Sequence, residues 1–190
     1  MKTKPFPFRL ILFVLLSLFI IGFFALYVFY SPKDLILYLG VRNSFVILFF
    51  VSLVGAFTSM TKFSAYPMIV ALVAGNMNFV YVGIVAGVGL AAGDILFFLF
   101  GYSARELTTH KWKDKLRNIV AKLQRINDWL VQGLIFIYVG ASPFPNNLLS
   151  GALAFTGYPF KKVVAPLFLG DLAFCMLVSW LAFRGINLFG

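Results

Sequence analysis

Long apolar runs separated by short polar or charged stretches dominate this chain. Phe8 to Tyr30 is an apolar run of 23 residues, Ser44 to Met60 a run of 17, and Asn78 to Gly101 and Val163 to Phe183 are of full membrane-spanning length. Between them, "TKFSAYP" (61–67) interrupts before Met68 to Gly75, and Trp129 to Gly157 is broken at Pro143 and Pro145. Spanning the hydrocarbon core takes ~20 residues of helix. The pattern therefore predicts about three full transmembrane helices, 8–30, 78–101 and 163–183. It also predicts two shorter broken segments, 44–75 and 129–157. Trp129 to Ser142 would make only about 21 Å of helix at ~1.5 Å per residue, too short to cross. Both broken segments read as re-entrant hairpins; the alternative, in which both arms cross fully, has the same parity, and the 17 residues from Ser44 to Met60 are just long enough for it. Their breaking residues are Pro67, Pro143 and Pro145 with Gly75, Gly151 and Gly157, since proline removes a donor and glycine ends helices.

Composition agrees. Of 190 residues, 62% are apolar and 12% charged, and mean hydropathy is +0.96. So much apolar surface needs lipid to cover it. The unbroken runs exclude the alternating pattern of a membrane barrel. The fold class expected is an all-α polytopic membrane protein. Residues 1–43 form the first helix and its connection, and 44–184 one domain, divided into a first repeat (44–102), a basic segment (103–128) and a second repeat (129–184). No A-x-A cleavage pattern follows the first run, so it reads as a retained helix.

Net charge is +10. The basic residues sit in short stretches between apolar runs, which excludes a nucleic-acid partner in favour of the positive-inside rule. With the N-terminus in the cytoplasm, the inner side holds Lys2, Lys4, Arg9, the seven Lys/Arg of the basic segment, Lys161 and Lys162. The outer side holds Lys33, Arg42 and Arg184. Twelve against three fixes the orientation, in a membrane most simply read as a prokaryotic plasma membrane. Trp112, Leu116, Ile119, Leu123 and Ile126 form one stripe of the basic segment, and Ser103 with Glu106 could box its start. Residues 105–125 would lie on the surface against anionic lipid headgroups. The sequence leaves a homo-oligomer open.

Each half carries a hairpin broken near proline, a glycine, and then a long helix containing Gly-Asp. These are "AAGDILFF" at Gly93-Asp94 and "LFLGDLAF" at Gly170-Asp171. By the charge count the halves run in opposite directions, an inverted repeat. Discontinuous helices in such repeats bring irregular backbone and helix ends to the membrane interior, where transporters bind substrate. Carboxylates at that depth cost ~2.5–3.5 kcal/mol each on insertion scales, so Asp94 and Asp171 are candidates for a substrate path or coupling. Asn146 and Asn147 join them as amide donors and acceptors, with helix capping as the alternative. Lys62 is the basic residue nearest a hairpin tip. Gly83, Gly87, Gly89 and Gly93 give two small-xxx-small pairs that predict close helix packing. Catalytic motifs, metal-ligand clusters and cofactor loops are absent, so no enzyme, cofactor or metal is expected.

Three stretches, "PMIVALVAGNMNFVYVGIVAGVGLAAGD", "GASPFPNNLLSGALAFTGYPFKK" and "LFLGD", resemble the DedA superfamily, also called the SNARE-associated or VTT-domain family. The resemblance covers Ser44 to Phe183. It implies lipid movement between leaflets: polyprenyl-phosphate recycling and proton-coupled homeostasis in bacterial members, phospholipid scrambling in eukaryotic ones. Bacterial members typically carry acids in the first hairpin and arginines around the second proline motif. Here "SMTKFSAYP" has Lys62 and no acid, and the arginine positions hold Gly140 and Asn146. "SPFPNN" is closer to the scramblase branch. The expected function is lipid translocation. The alternatives are a proton- or cation-coupled carrier of a small solute, and a scaffold that recruits a partner through its basic helix.

Overall fold

The structure is a computed structural model that describes Val14, Leu18 and residues 43–57, 62–104, 127–141 and 146–189. The rest of the first expected helix, Pro143, Pro145 and the basic segment from 105 to 126, including Glu106, lie outside the described residues. Within those described there are six helices and no strands. They are α1 (Ser44–Phe57), α2 (Lys62–Ala74), α3 (Phe79–Ala104), α4 (Asp128–Ala141), α5 (Asn146–Thr156) and α6 (Phe160–Phe189). Two of them, α3 and α6, contain spans long and apolar enough to cross a membrane, Phe79–Ser103 and Phe160–Gly185. The other four are 11 to 14 residues, about 17 to 21 Å each, against a hydrocarbon core of ~30 Å.

Large apolar side chains face outward: Tyr81, Trp129, Leu134, Ile137, Leu169 and Leu181 are all more than half exposed. Polar side chains are buried instead, among them Ser52, Asp94, Asn146, Asn147, Asp171 and Ser179. That inverted distribution, with the two long spans, is consistent with an α-helical membrane protein.

The long helices are the frame. Phe79 stacks on Phe183 with ring centroids 4.9 Å apart, Gly83 sits against Met176, Gly87 against Leu172, and Phe98 meets Phe160. Ascending numbers on α3 meet descending numbers on α6, so the two are antiparallel. Ser179 Oγ donates to the Phe79 carbonyl at 2.6 Å and ties one end. On its other side α3 packs against α1, with Gly89 at Phe49 and Ser52 and Gly93 at Leu53 and Ala56. Numbers here rise together, so α1 is parallel to α3. Each predicted glycine pair thus serves a different neighbour, Gly83 and Gly87 facing α6, Gly89 and Gly93 facing α1.

The same relation recurs in the second half. Lys162 Nζ donates to Asp128 Oδ2 at 2.5 Å, Gly170 contacts Val139, and Gly140 contacts Gly170. So α4 runs parallel to α6, beginning beside its start. The returning helices cross over: α2 packs on α6 and α5 on α3, where Gly151 meets Phe97 and Gly101 meets Ala154.

Both return helices end alike. Asn76 N–H donates to the Val73 carbonyl and Met77 N–H to Leu72, with Asn76 at φ 63°. Gly157 N–H donates to Ala154 and Tyr158 N–H to Leu153, with Gly157 at φ 80°. This paired bonding closes a helix on a left-handed residue. Asn78 Oδ1 then accepts from Val80 N–H and starts α3, as Asn127 Oδ1 accepts from Trp129 N–H to start α4.

Several expected breaks move. Pro67 is inside α2, five residues past its start, and deprives only the Phe63 carbonyl of a bond; interruptions of this kind are tolerated where neighbouring helices enclose them. Gly151 is likewise inside α5, where its missing Cβ admits the Phe97 ring. Gly75 precedes the left-handed position, which Asn76 occupies. Ser103 belongs to the last turn of α3, its hydroxyl donating to the Leu99 carbonyl.

Candidate functional site

Two buried carboxylates lie on the two long helices. Asp94 is 0% exposed and Asp171 1%. Each is at least nine residues from either end of its apolar span, Phe79–Ser103 or Phe160–Gly185, about 13 Å or more along the axis. The antiparallel register sets Asp171 beside residue 88 of α3, so Asp94 stands six residues farther along, about 9 Å. Each follows a glycine that admits a neighbour's backbone, Gly93 to α1 and Gly170 to α4. Both carboxylates are buried among the packed helices.

Asn146 opens α5, is 5% exposed, and donates through Nδ2 to Asp171 Oδ1 at 2.8 Å. Through this bond the amide of Asn146 fixes the start of α5 to the interior of α6. Asn147, 4% exposed, has no hydrogen-bond partner for either amide atom among the described residues. A buried primary amide left in that state costs about 1–3 kcal/mol. It offers both a donor and an acceptor to anything polar that reaches it. Ser150 Oγ donates to the Asn147 carbonyl at 3.3 Å.

Residues that the linear pattern did not single out complete the cluster. Tyr66 of α2 packs its ring against Phe174 of α6, centroids 5.4 Å apart, and lies within electrostatic range of Asp171 and Asp94. Ser52 of α1 is fully buried against Gly89. A tyrosine preceding proline inside "TKFSAYP" was the available signal for Tyr66. Nothing in the local sequence marks Ser52. Lys62 opens α2, and its side chain is outside what the structure describes.

The structure thus joins Asp171 with Asn146 directly, and brings Tyr66 within electrostatic range of Asp171 and Asp94. Pro143 and Pro145 fall in the undescribed link before Asn146. Among the described residues no three His, Cys, Asp or Glu side chains gather to hold a metal. At the end where α4 and α6 begin, Tyr158 is buried near the Asp128–Lys162 pair. Burial first, then the charge of Asp128, raises its phenol above the ordinary tyrosine range. The cluster can accept and donate hydrogen bonds, hold protons, and present negative charge inside an otherwise apolar molecule. The chain matches no protein-family model, no curated protein and no solved structure.

Proposed function

We propose that the protein is an integral membrane lipid translocator, in which two opposed re-entrant hairpins overlap in the bilayer interior beside Asp94 and Asp171. The observation that carries this reading is the Asn146–Asp171 hydrogen bond. α4 starts level with the start of α6, reaches Gly170 at Gly140, and stops at Ala141. Five residues later Asn146 is still at the level of Asp171, and α5 runs back to the turn that starts α6. Such a path enters less than half of α6 and leaves by the same end. α1 and α2 supply the matching hairpin beside α3. Because α3 and α6 are antiparallel, the two hairpins approach from opposite faces, which is the arrangement of an inverted repeat.

Overlapping tips put amide and carboxylate groups where a phospholipid headgroup meets its highest barrier. The headgroup passes along Asn147, Asn146–Asp171 and Asp94 while its chains stay in lipid. Resemblance to the DedA superfamily points the same way. The charge count supports a cytoplasmic side for the basic segment, in a membrane we read as a prokaryotic plasma membrane. The test is leaflet exchange of labelled lipids of several headgroups in reconstituted liposomes at two pH values. Exchange above that of protein-free liposomes is expected, and equal rates overturn the reading.

A second reading, a proton- or cation-coupled carrier of a small solute, is favoured by one observation. The phenol of Tyr66 lies within range of two buried carboxylates. It predicts solute flux that follows a pH gradient and loses that dependence in Asp94→Asn. Flux that keeps its pH response in this variant removes Asp94 from coupling.

A further inference from the structure

Along the outer crossing of α4 and α6 is a groove of about 220 Å³, lined by Trp129, Gln132, Gly133, Phe136, Ala165, Pro166 and Leu169. Its chemistry is layered. At the mouth lie the ion pair of Lys162 with Asp128 and the 82% exposed Trp129, a residue suited to the headgroup level. Lys161 is exposed there too, one turn above Ala165 on the same face of α6. Lys162 is paired with Asp128, so among the described residues at this mouth Lys161 is the exposed lysine outside that pair. One turn deeper comes a polar layer. It holds the Gln132 amide, beside Pro166. Deeper still, Phe136 and Leu169 are apolar, and Gly133 meets nothing within 4 Å of where a Cβ would be. Charge, hydrogen-bonding groups and hydrocarbon succeed one another as phosphate, ester and acyl chain do in a glycerophospholipid.

We propose that this groove docks one anionic glycerophospholipid. Its phosphate sits at Lys161, its ester region at Gln132, and an acyl chain lies over Gly133 between Phe136 and Leu169. The site is separate from the interior polar cluster. It rests on the lipid-handling reading above and adds a waiting position at the edge of the path.

The test uses the full chain in vesicles, with Trp112→Phe and Trp180→Phe leaving Trp129 as the sole reporter. Chain-brominated phosphatidylglycerol or phosphatidylcholine serves as quencher. Phosphatidylglycerol is expected to associate about fivefold more tightly, the effect of one lysine at a headgroup. Lys161→Gln should bring the ratio close to one. Gly133→Leu places its Cβ where nothing lies within 4 Å and its side chain in the groove, and should remove the excess quenching. Gly185→Leu, an equally open position on α6, should retain it. Equal quenching by the two lipids in the unsubstituted groove, or an excess that survives Gly133→Leu, overturns the proposal. A wild-type protein that shows the excess but exchanges no lipid supports the groove and overturns translocation instead.

Discussion

The first arm of the first hairpin is sunk into the molecule, whereas the first arm of the second lies along its edge. In α1, residues 51 to 56 are buried without interruption, and α3 and α2 pack against it. In α4 only Val131, Ile135 and Val139 are buried, one stripe at i, i+4 and i+8, and Trp129, Leu130, Leu134 and Ile137 are open. The plan of the two halves is the same: a 14-residue arm, a four-residue link, a shorter return arm, a left-handed turn and a long helix with Gly-Asp. What differs is how firmly the plan is held. Segments with few buried contacts are those that open at low free energy, so motion is expected in the second hairpin while the first acts as scaffold.

The sharpest way to break this comparison is one substitution made in both halves. Leucine at Gly93 drives its side chain into the backbone of α1 at Leu53 and should cost upward of about 3 kcal/mol, abolishing folded protein. Leucine at Gly133 meets open space and should leave the unfolding temperature in detergent unchanged or raised, since glycine is a poor helix former. Equal losses at the two positions would mean that α4 is held as tightly as α1. A smaller effect concerns the polar tie of the second hairpin. Asn146→Leu should cost about 1–3 kcal/mol, because it leaves a buried carboxylate oxygen of Asp171 without its donor. The exchanged pair Asn146→Asp with Asp171→Asn should recover most of the loss. Lipid exchange should fall and return with it; recovery of stability alone would make the tie purely structural. The smallest effect tests the two turns. Gly157→Ala forces a Cβ into left-handed backbone and should cost about 1 kcal/mol, whereas Asn76→Gly should be neutral or slightly stabilising.

That last pair shows where reading the chain as a string falls short. Matching glycine to glycine, Gly75 with Gly157, leaves unequal spacings of 19 and 14 residues to the aspartates. Matching the left-handed residues, Asn76 with Gly157, gives 18 and 14, a difference of about one helical turn. Asparagine tolerates that backbone nearly as well as glycine, so identity in the sequence hid equivalence in the structure. The two long helices, the short broken segments, the buried aspartates and the small-residue seams were legible, because each is written in local composition and period. Asn146 reaching Asp171, Tyr66 facing both halves, and Pro67 carried inside a helix were not. Each depends on which helices become neighbours, and that is decided by packing over distances the local pattern does not encode.

The paired seams on α3 have a mechanical consequence. Gly83 and Gly87 receive α6 on one side while Gly89 and Gly93 receive α1 on another. Turning the helix by a single residue, about 100°, would bring bulky groups such as Ile84, Leu90 or Val88 into contacts where only hydrogen fits. α3 is thus keyed like a splined shaft: any rearrangement that opens a passage must leave it unrotated and swing the outer elements around it.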